Sequence, residues 1–233
     1  MIRKLKILGL ALVAAFALSA VVASAASAQN GLLTAPGPMT LIGTQTGGAG
    51  SNALTAFGLT TECSKATYAG HKLNSSSFIA SGESKVTITP KYGTCSTSGL
   101  PTTVDMNGCD YVFELGGTVV ANTYKVNATV KCTTPGSHIV VTVFADAAHK
   151  ELKCTVTVEP VETTDYTGLH ATDTGNGFLD ITGTVEGIFA HKSGTSILCK
   201  TTENTTNAKL DLDVTVEGKN ESGAKTSISL SHN

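Results

Sequence analysis

Tryptophan is absent from this 233-residue chain, and aromatic residues make up only 5% of it. A carbohydrate site built on exposed aromatic faces therefore has little to draw on. Charge is scarce too, at 15% of residues. The first 28 residues hold Arg3, Lys4 and Lys6 and no acid, so the remainder has 13 bases against 18 acids, a net of −5. Without a basic footprint for phosphate, nucleic-acid binding is excluded as a default. Low charge combined with abundant Val, Ile, Leu and Thr also argues against a disordered chain.

Signatures of catalysis are missing as well. There is no G-x-S-x-G elbow, no H-E-x-x-H and no C-x-x-C. Ser222-Gly-Ala-Lys225 has the form S-x-x-K, but that motif opens a helix in the penicillin-interacting enzymes, whereas here it falls in a terminal hairpin with no K-T-G. Asp211 and Asp213 share one face of a strand. They read as a solvated strand face rather than a glycosidase pair. Asp173, Asn176 and Asp180 are oxygen-rich, yet their spacing is not that of an EF-hand, and an ordinary turn is expected. His138, His170 and His232 are isolated and read as turn or terminal residues. His71-Lys72, His149-Lys150 and His191-Lys192 read as strand ends or hairpin tips that keep edges soluble, not as a basic patch. No catalytic residue, metal ligand or cofactor is assigned on these grounds.

The longest apolar run is at the start. Met1–Lys6 is basic, Ile7–Val22 is almost wholly apolar, and two small-residue sites follow at Ala23-Ser-Ala25 and Ala26-Ser-Ala28. This is the layout of a secretory signal peptide over residues 1–28, with Gln29 left first. Its short, alanine-rich form points to a bacterial source. No later run is long enough to span a membrane. The expected location is secreted, extracellular or at the cell surface.

All six cysteines follow that signal: Cys63, Cys95, Cys109, Cys132, Cys154 and Cys199. An even count after export reads as three structural disulfides, for which 15 connectivities exist. Spacing favours Cys95 with Cys109 across the turn-rich Ser96–Pro101, a closure worth about 3 kcal/mol. Cys132 and Cys154 lie on the apolar faces of two strands and are expected to meet inside. Cys63 is then left for Cys199.

Residues 29–52, rich in Gly, Thr, Pro and Ser, read as a flexible lead-in with a short strand at Met39–Ile42. From Leu54 on, apolar residues recur at period two. The rows are Val86/Ile88, Tyr124 to Cys132, Ile139 to Val143, Leu152 to Val158, Leu179/Ile181, Ile197/Cys199, Leu210 to Val216 and Ile228/Leu230. Residues two apart share a strand face, so each row is one buried face. Turn signals fall at Gly116-Gly117, Pro135-Gly136, Asp173–Gly177, Ser193-Gly194 and Gly218–Gly223. No segment after the signal carries a helical period. The reading is an all-β, disulfide-stapled antiparallel sandwich or barrel-like unit of about ten strands over residues 53–233. A break near 160–164 allows two lobes.

Several stretches resemble a family of uncharacterised secreted β-rich proteins of actinobacteria. They are Leu54-Thr-Ala-Phe-Gly58, Thr61-Glu-Cys63, Ala66–Lys72, Val86–Pro90 through Cys95, and most specifically Val104-Asp-Met-Asn-Gly-Cys-Asp-Tyr-Val-Phe113. The resemblance implies a secreted β-rich protein with these cysteines and implies no activity. The expected function is a non-enzymatic extracellular or cell-surface module, structural, adhesive, or binding a cell-wall component or another protein. Two alternatives stand beside it: a secreted hydrolase of polysaccharide or peptide, and a small-ligand or calcium-binding β-barrel. A carrier requires a closed barrel with an apolar cavity. An enzyme requires convergent carboxylates or a Ser/His pair in a cleft. An adhesion module requires an exposed patch or open edge.

Overall fold

The computed structural model describes residues 30–73, 76–160, 168–194, 196, 199 and 202–232. The expected signal peptide, Ile197 and all but Pro160 of the break expected near 160–164 lie outside the described residues. The fold is all-β. Its strands are β1 (Gly31–Thr34), β2 (Met39–Gln45), β3 (Ala53–Ala56), β4 (Leu59–Lys72), β5 (Lys85–Thr97), β6 (Leu100–Asp105), β7 (Cys109–Val120) and β8 (Thr123–Cys132). They continue as β9 (Ile139–Phe144), β10 (Leu152–Val158), β11 (Leu169–Asp173), β12 (Phe178–Ser193), β13 (Glu203–Asn220), β14 (Lys225–Thr226) and β15 (Ser229–His232). Fifteen strands among the described residues replace the expected ten or so, because several carry too few large apolar residues to show as rows.

Thirteen strands form one antiparallel sheet that closes on itself twice. The lower ring runs β4–β5–β7–β8–β11–β12–β13–β2 and back to β4. The upper ring runs β4–β5–β6–β9–β10–β12–β13–β3 and back to β4. Four strands serve both rings, and they are the long ones, of 14, 13, 16 and 18 residues. At ~3.4 Å per residue, 14 residues span about 48 Å, long enough for two stacked rings. Thus β5 pairs β7 through Lys85–Ile88 and β6 through Cys95–Thr97. Likewise β12 pairs β11 up to Thr182 and β10 from Ala190 onward. Closure removes sheet edges that would otherwise pair with other chains.

The alternating rows face inward as their period requires. Ile139, Val141 and Val143 are buried, as are Leu210, Leu212, Val214 and Val216. β1 pairs with β15 in a separate two-stranded sheet, and Leu33 and Ile228 from this region are buried in the core. Residues 30–52 are therefore built into the fold, with β2 a wall strand of the lower ring and Met39 fully buried. Segments before residue 160 pair with segments after 168 in five places, so one hydrogen-bond network joins the two proposed lobes.

Other expectations change. The disulfides are Cys63–Cys95, Cys109–Cys132 and Cys154–Cys199, not the pairs that spacing favoured. Cys63 stands opposite Cys95 in the β4/β5 register, and Cys109 stands opposite Cys132 in the β7/β8 register. Strand neighbours, not loop length, select these partners. The turn after Cys95 does form: Ser98 and Gly99 both have positive φ (51° and 81°). That is the two-residue hairpin conformation matching strand twist. It brings Thr102, not Cys109, beside Cys95. Gly116-Gly117 is no turn but a bulge within β7; the chain reverses at Ala121-Asn122. Leu152 is 48% exposed because a bulge next to Cys154 breaks the row's parity. Cys199 lies outside any strand.

Candidate functional site

Two apolar chambers of about 60 Å³ each occupy the barrel interior. The lower chamber takes lining residues from all eight strands of the lower ring, including Leu41, Tyr68, Ile88, Val126, Ala171 and Leu179. The upper chamber does the same in the upper ring, with Leu54, Val104, Val141, Val158, Ile188 and Leu210. Phe113 and Leu212 line both chambers and form the partition between them. No lining residue of either chamber is charged.

A short chain of buried polar groups crosses this apolar interior. The Asn52 side-chain amide donates to the Asp213 carbonyl (3.2 Å), which fixes its oxygen as an acceptor for the Tyr68 hydroxyl (2.5 Å). Tyr68 also hydrogen-bonds Tyr92, and the Tyr92 and Tyr111 hydroxyls are 2.9 Å apart. The rings of Tyr68 and Tyr92 meet edge to face, with centroids 6.2 Å apart. Tyr92 and Tyr111 line the upper chamber; Tyr68 lines the lower. Burial disfavours the phenolate, so Tyr111 is pushed up to about 12 from its ordinary 10.0, Tyr68 is pushed higher still, and Tyr92 is held well above its ordinary value. All three are neutral hydrogen-bonding groups at physiological pH.

The ends of the barrel are closed by packing. At the top, the buried hydroxyls of Thr61, Thr97 and Thr102 bond one another at 2.7 and 2.9 Å. At the bottom, Leu33 of β1 lines the lower chamber. Between Thr182 and Ala190, β12 pairs with β13 across two register shifts, and among the described residues its other side takes a backbone bond from Glu159 N to Phe189 O at 3.2 Å.

The residues singled out by sequence are not gathered at this interior. Asp211 accepts from Thr184 and Asp213 from Thr46, each at 2.5 Å, so both carboxylates are engaged on the wall. Asp173 caps its own loop through Gly175 N and also holds Leu230 N, while Asp180 accepts from Thr215. Asn176 stays within its own turn. Among the described residues, no group of three or more His, Cys, Asp or Glu is placed to hold a metal. Ser222 bonds Asn220 and Lys225 pairs with Glu217, so the S-x-x-K residues point to separate partners. His138 lies 2.8 Å from Glu159, and His232 sits against Tyr124 and Thr118. His170 is half-buried on β11.

One His-Lys pair departs from its expected role. Lys192 is buried, pairs with Glu203 at 3.1 Å and lies over the Phe57 ring at 5.1 Å. It stands at the end of β12 as expected, but it packs into the upper ring instead of keeping an edge soluble. Tyr111 and Tyr124 are core residues as expected, and Phe113 is packed against that core. The joint role of Asn52, Tyr68, Tyr92, Phe113 and Leu212 was not visible in the sequence. They come from five different strands or turns, and no local spacing brings them together. No known protein family, curated protein or solved structure matches this chain.

Proposed function

We propose that this protein is a non-enzymatic, exported β-barrel that carries a small apolar ligand in its interior. The observation carrying this reading is the pair of apolar chambers, each lined by every strand of a closed eight-stranded ring. Ligand sites are concave and mostly apolar, with a few placed polar groups, and the phenol chain supplies those. Eight strands give a barrel interior on the scale of one small ligand. Export is supported by three disulfides, and no described helix is long and apolar enough to cross a membrane. Of the three kinds of role the composition allows, this one matches the closed rings best.

The test is a titration of the oxidised protein with butane, followed by methyl NMR of Val126, Val141, Leu179 and Leu212. Saturable shifts confined to these interior methyls are expected. Unchanged methyl signals up to the solubility limit of butane would overturn the reading.

One feature favours a surface role alongside carriage. Val119 and Val120, at the β7–β8 hairpin tip, are 44% and 63% exposed. A cell-wall component or another extracellular protein is the partner class proposed for that tip. Sedimentation with isolated cell walls tests it: co-pelleting lost in Val120→Lys supports the tip, and pelleting unaffected by that change refutes it.

A further inference from the structure

The lining also constrains the ligand's chemistry; this step rests on the carrier reading above. Neither chamber presents a charged side chain, so an ionised carboxylate or amine inside would have no counter-ion. Burying such a charge unpaired is strongly disfavoured. The ligand is thus neutral.

The hydrogen bonds say where its polar atom belongs. The Tyr68 proton is committed to Asn52, because the Asn52 amide is already turned toward the Asp213 carbonyl. Each phenol has one proton to give. Tyr92 therefore donates either to Tyr68 or to Tyr111. In the first case Tyr111 donates to Tyr92 and keeps open lone pairs. In the second, Tyr111 accepts from Tyr92 and keeps a free proton. Either way Tyr111 ends the chain with hydrogen-bonding capacity left over, at the wall of the upper chamber. Buried capacity of this kind is stabilised by a matching partner.

Shape supplies the third constraint. Two narrow chambers meet at Phe113 and Leu212, and the Phe113 ring is stacked on Tyr111 with centroids 6.3 Å apart. A ligand reaching from one chamber into the other must pass between Phe113 and Leu212. An apolar cavity of roughly 150 Å³ holds benzene. Two chambers of about 60 Å³ offer less room than that even when joined, and therefore suit a thin chain of about four carbons better than a ring.

We propose that the ligand is a slender, uncharged aliphatic chain bearing one hydroxyl or carbonyl oxygen. Its oxygen hydrogen-bonds the Tyr111 hydroxyl, and its tail passes Phe113 into the lower chamber.

The experiment compares butane, butan-1-ol and butanoate at neutral pH by methyl NMR, on the natural protein and on Tyr111→Phe. Butane and butan-1-ol are expected to bind the natural protein and butanoate not to bind. Tyr111→Phe is expected to weaken butan-1-ol by about three- to tenfold, the effect of one hydrogen bond, and to leave butane unchanged. Butane binding to the variant also shows that its interior is intact. Should Tyr111→Phe not fold, contacts between the butan-1-ol hydroxymethylene and the Tyr111 ring in the natural protein carry the test. Equal losses for both ligands, butanoate binding as tightly as butan-1-ol, or a hydroxymethylene in contact with Leu179 instead would each overturn the assignment while leaving the carrier reading intact. Failure of all three molecules to bind the natural protein would remove the carrier reading itself.

Discussion

Raising the pH above 10 attacks the interior at a known point. Tyr68, Tyr92 and Tyr111 hold their protons more tightly in the folded chain than in the unfolded one, because burial disfavours the phenolate. Between pH 10 and about 12 the unfolded chain releases these protons and the folded chain does not. The folded state then binds more protons, so stability falls as pH rises. The contribution is fully present below pH 10 and is lost as pH climbs toward the folded values. For Tyr111 the rise from 10.0 to about 12 is two pKa units. At ~1.4 kcal/mol per unit this amounts to about 2.7 kcal/mol. Tyr68 and Tyr92 are raised too, for the same reason, and add to this loss in the same direction. A domain's whole stability is about 5–15 kcal/mol. The barrel should therefore unfold before its buried phenols titrate one by one. Phenolate absorbance and far-ultraviolet circular dichroism, followed in parallel against pH, read this directly. At least three of the five tyrosines should ionise in one cooperative step that coincides with loss of the sheet signal. Independent ionisation of all five near pH 10 with the sheet signal intact would refute the buried phenol chain.

Gly183 has φ +131°, and a Cβ there would lie 2.1 Å from the Gly168 carbonyl oxygen. Gly183→Ala should cost more than about 3 kcal/mol in urea unfolding, while Gly187→Ala, with φ +75° but open space around it, should cost about 1 kcal/mol. Equal costs would contradict the close approach of β11 to β12. Replacing Cys109 and Cys132 together by Ala opens a loop of 23 residues and should lower stability by about 3 kcal/mol, and peptide mapping of the variant should still find the Cys63–Cys95 and Cys154–Cys199 bonds. Reshuffled bonds in that variant would count against register as the source of pairing.

Rows with unbroken parity were legible in the sequence. Ile139, Val141 and Val143 alternate, and Leu210 to Val216 alternate, because each lines a barrel interior whose other side is wall or solvent. Parity fails at bulges. In β12 the buried set runs Leu179, Ile181, Val185, then shifts to Ile188, Ala190 and Lys192 across two register shifts, so the second half of the strand did not read as a continuation. β4 hid for another reason: its buried face is Thr61, Cys63, Ala66, Tyr68 and Gly70, with few large aliphatic residues. The double ring could not be read because it depends on which strands lie side by side. The disulfides share that dependence, since Cys63 and Cys95 are 32 residues apart and meet only through β4/β5 register. Burial of Lys192 was equally invisible, as it needs Phe57 and Glu203 from other strands and turns. The phenol chain joins Asn52 before β3 to β4, β5 and β7, and no spacing rule links four such positions. Turn chemistry was read correctly where glycine permits positive φ at Ser98-Gly99 and Asp173–Gly177, and incorrectly at Gly116-Gly117, where the same residue type serves a bulge.

The central claim is that two closed rings enclose two apolar chambers. Xenon under pressure enters dry apolar cavities and is located directly by diffraction. A crystal of the oxidised protein should show one xenon site between Leu41, Val126 and Leu179 and a second between Val104, Val141 and Leu210, separated by Phe113. Xenon found only at the surface, with side chains filling the interior, would contradict the account.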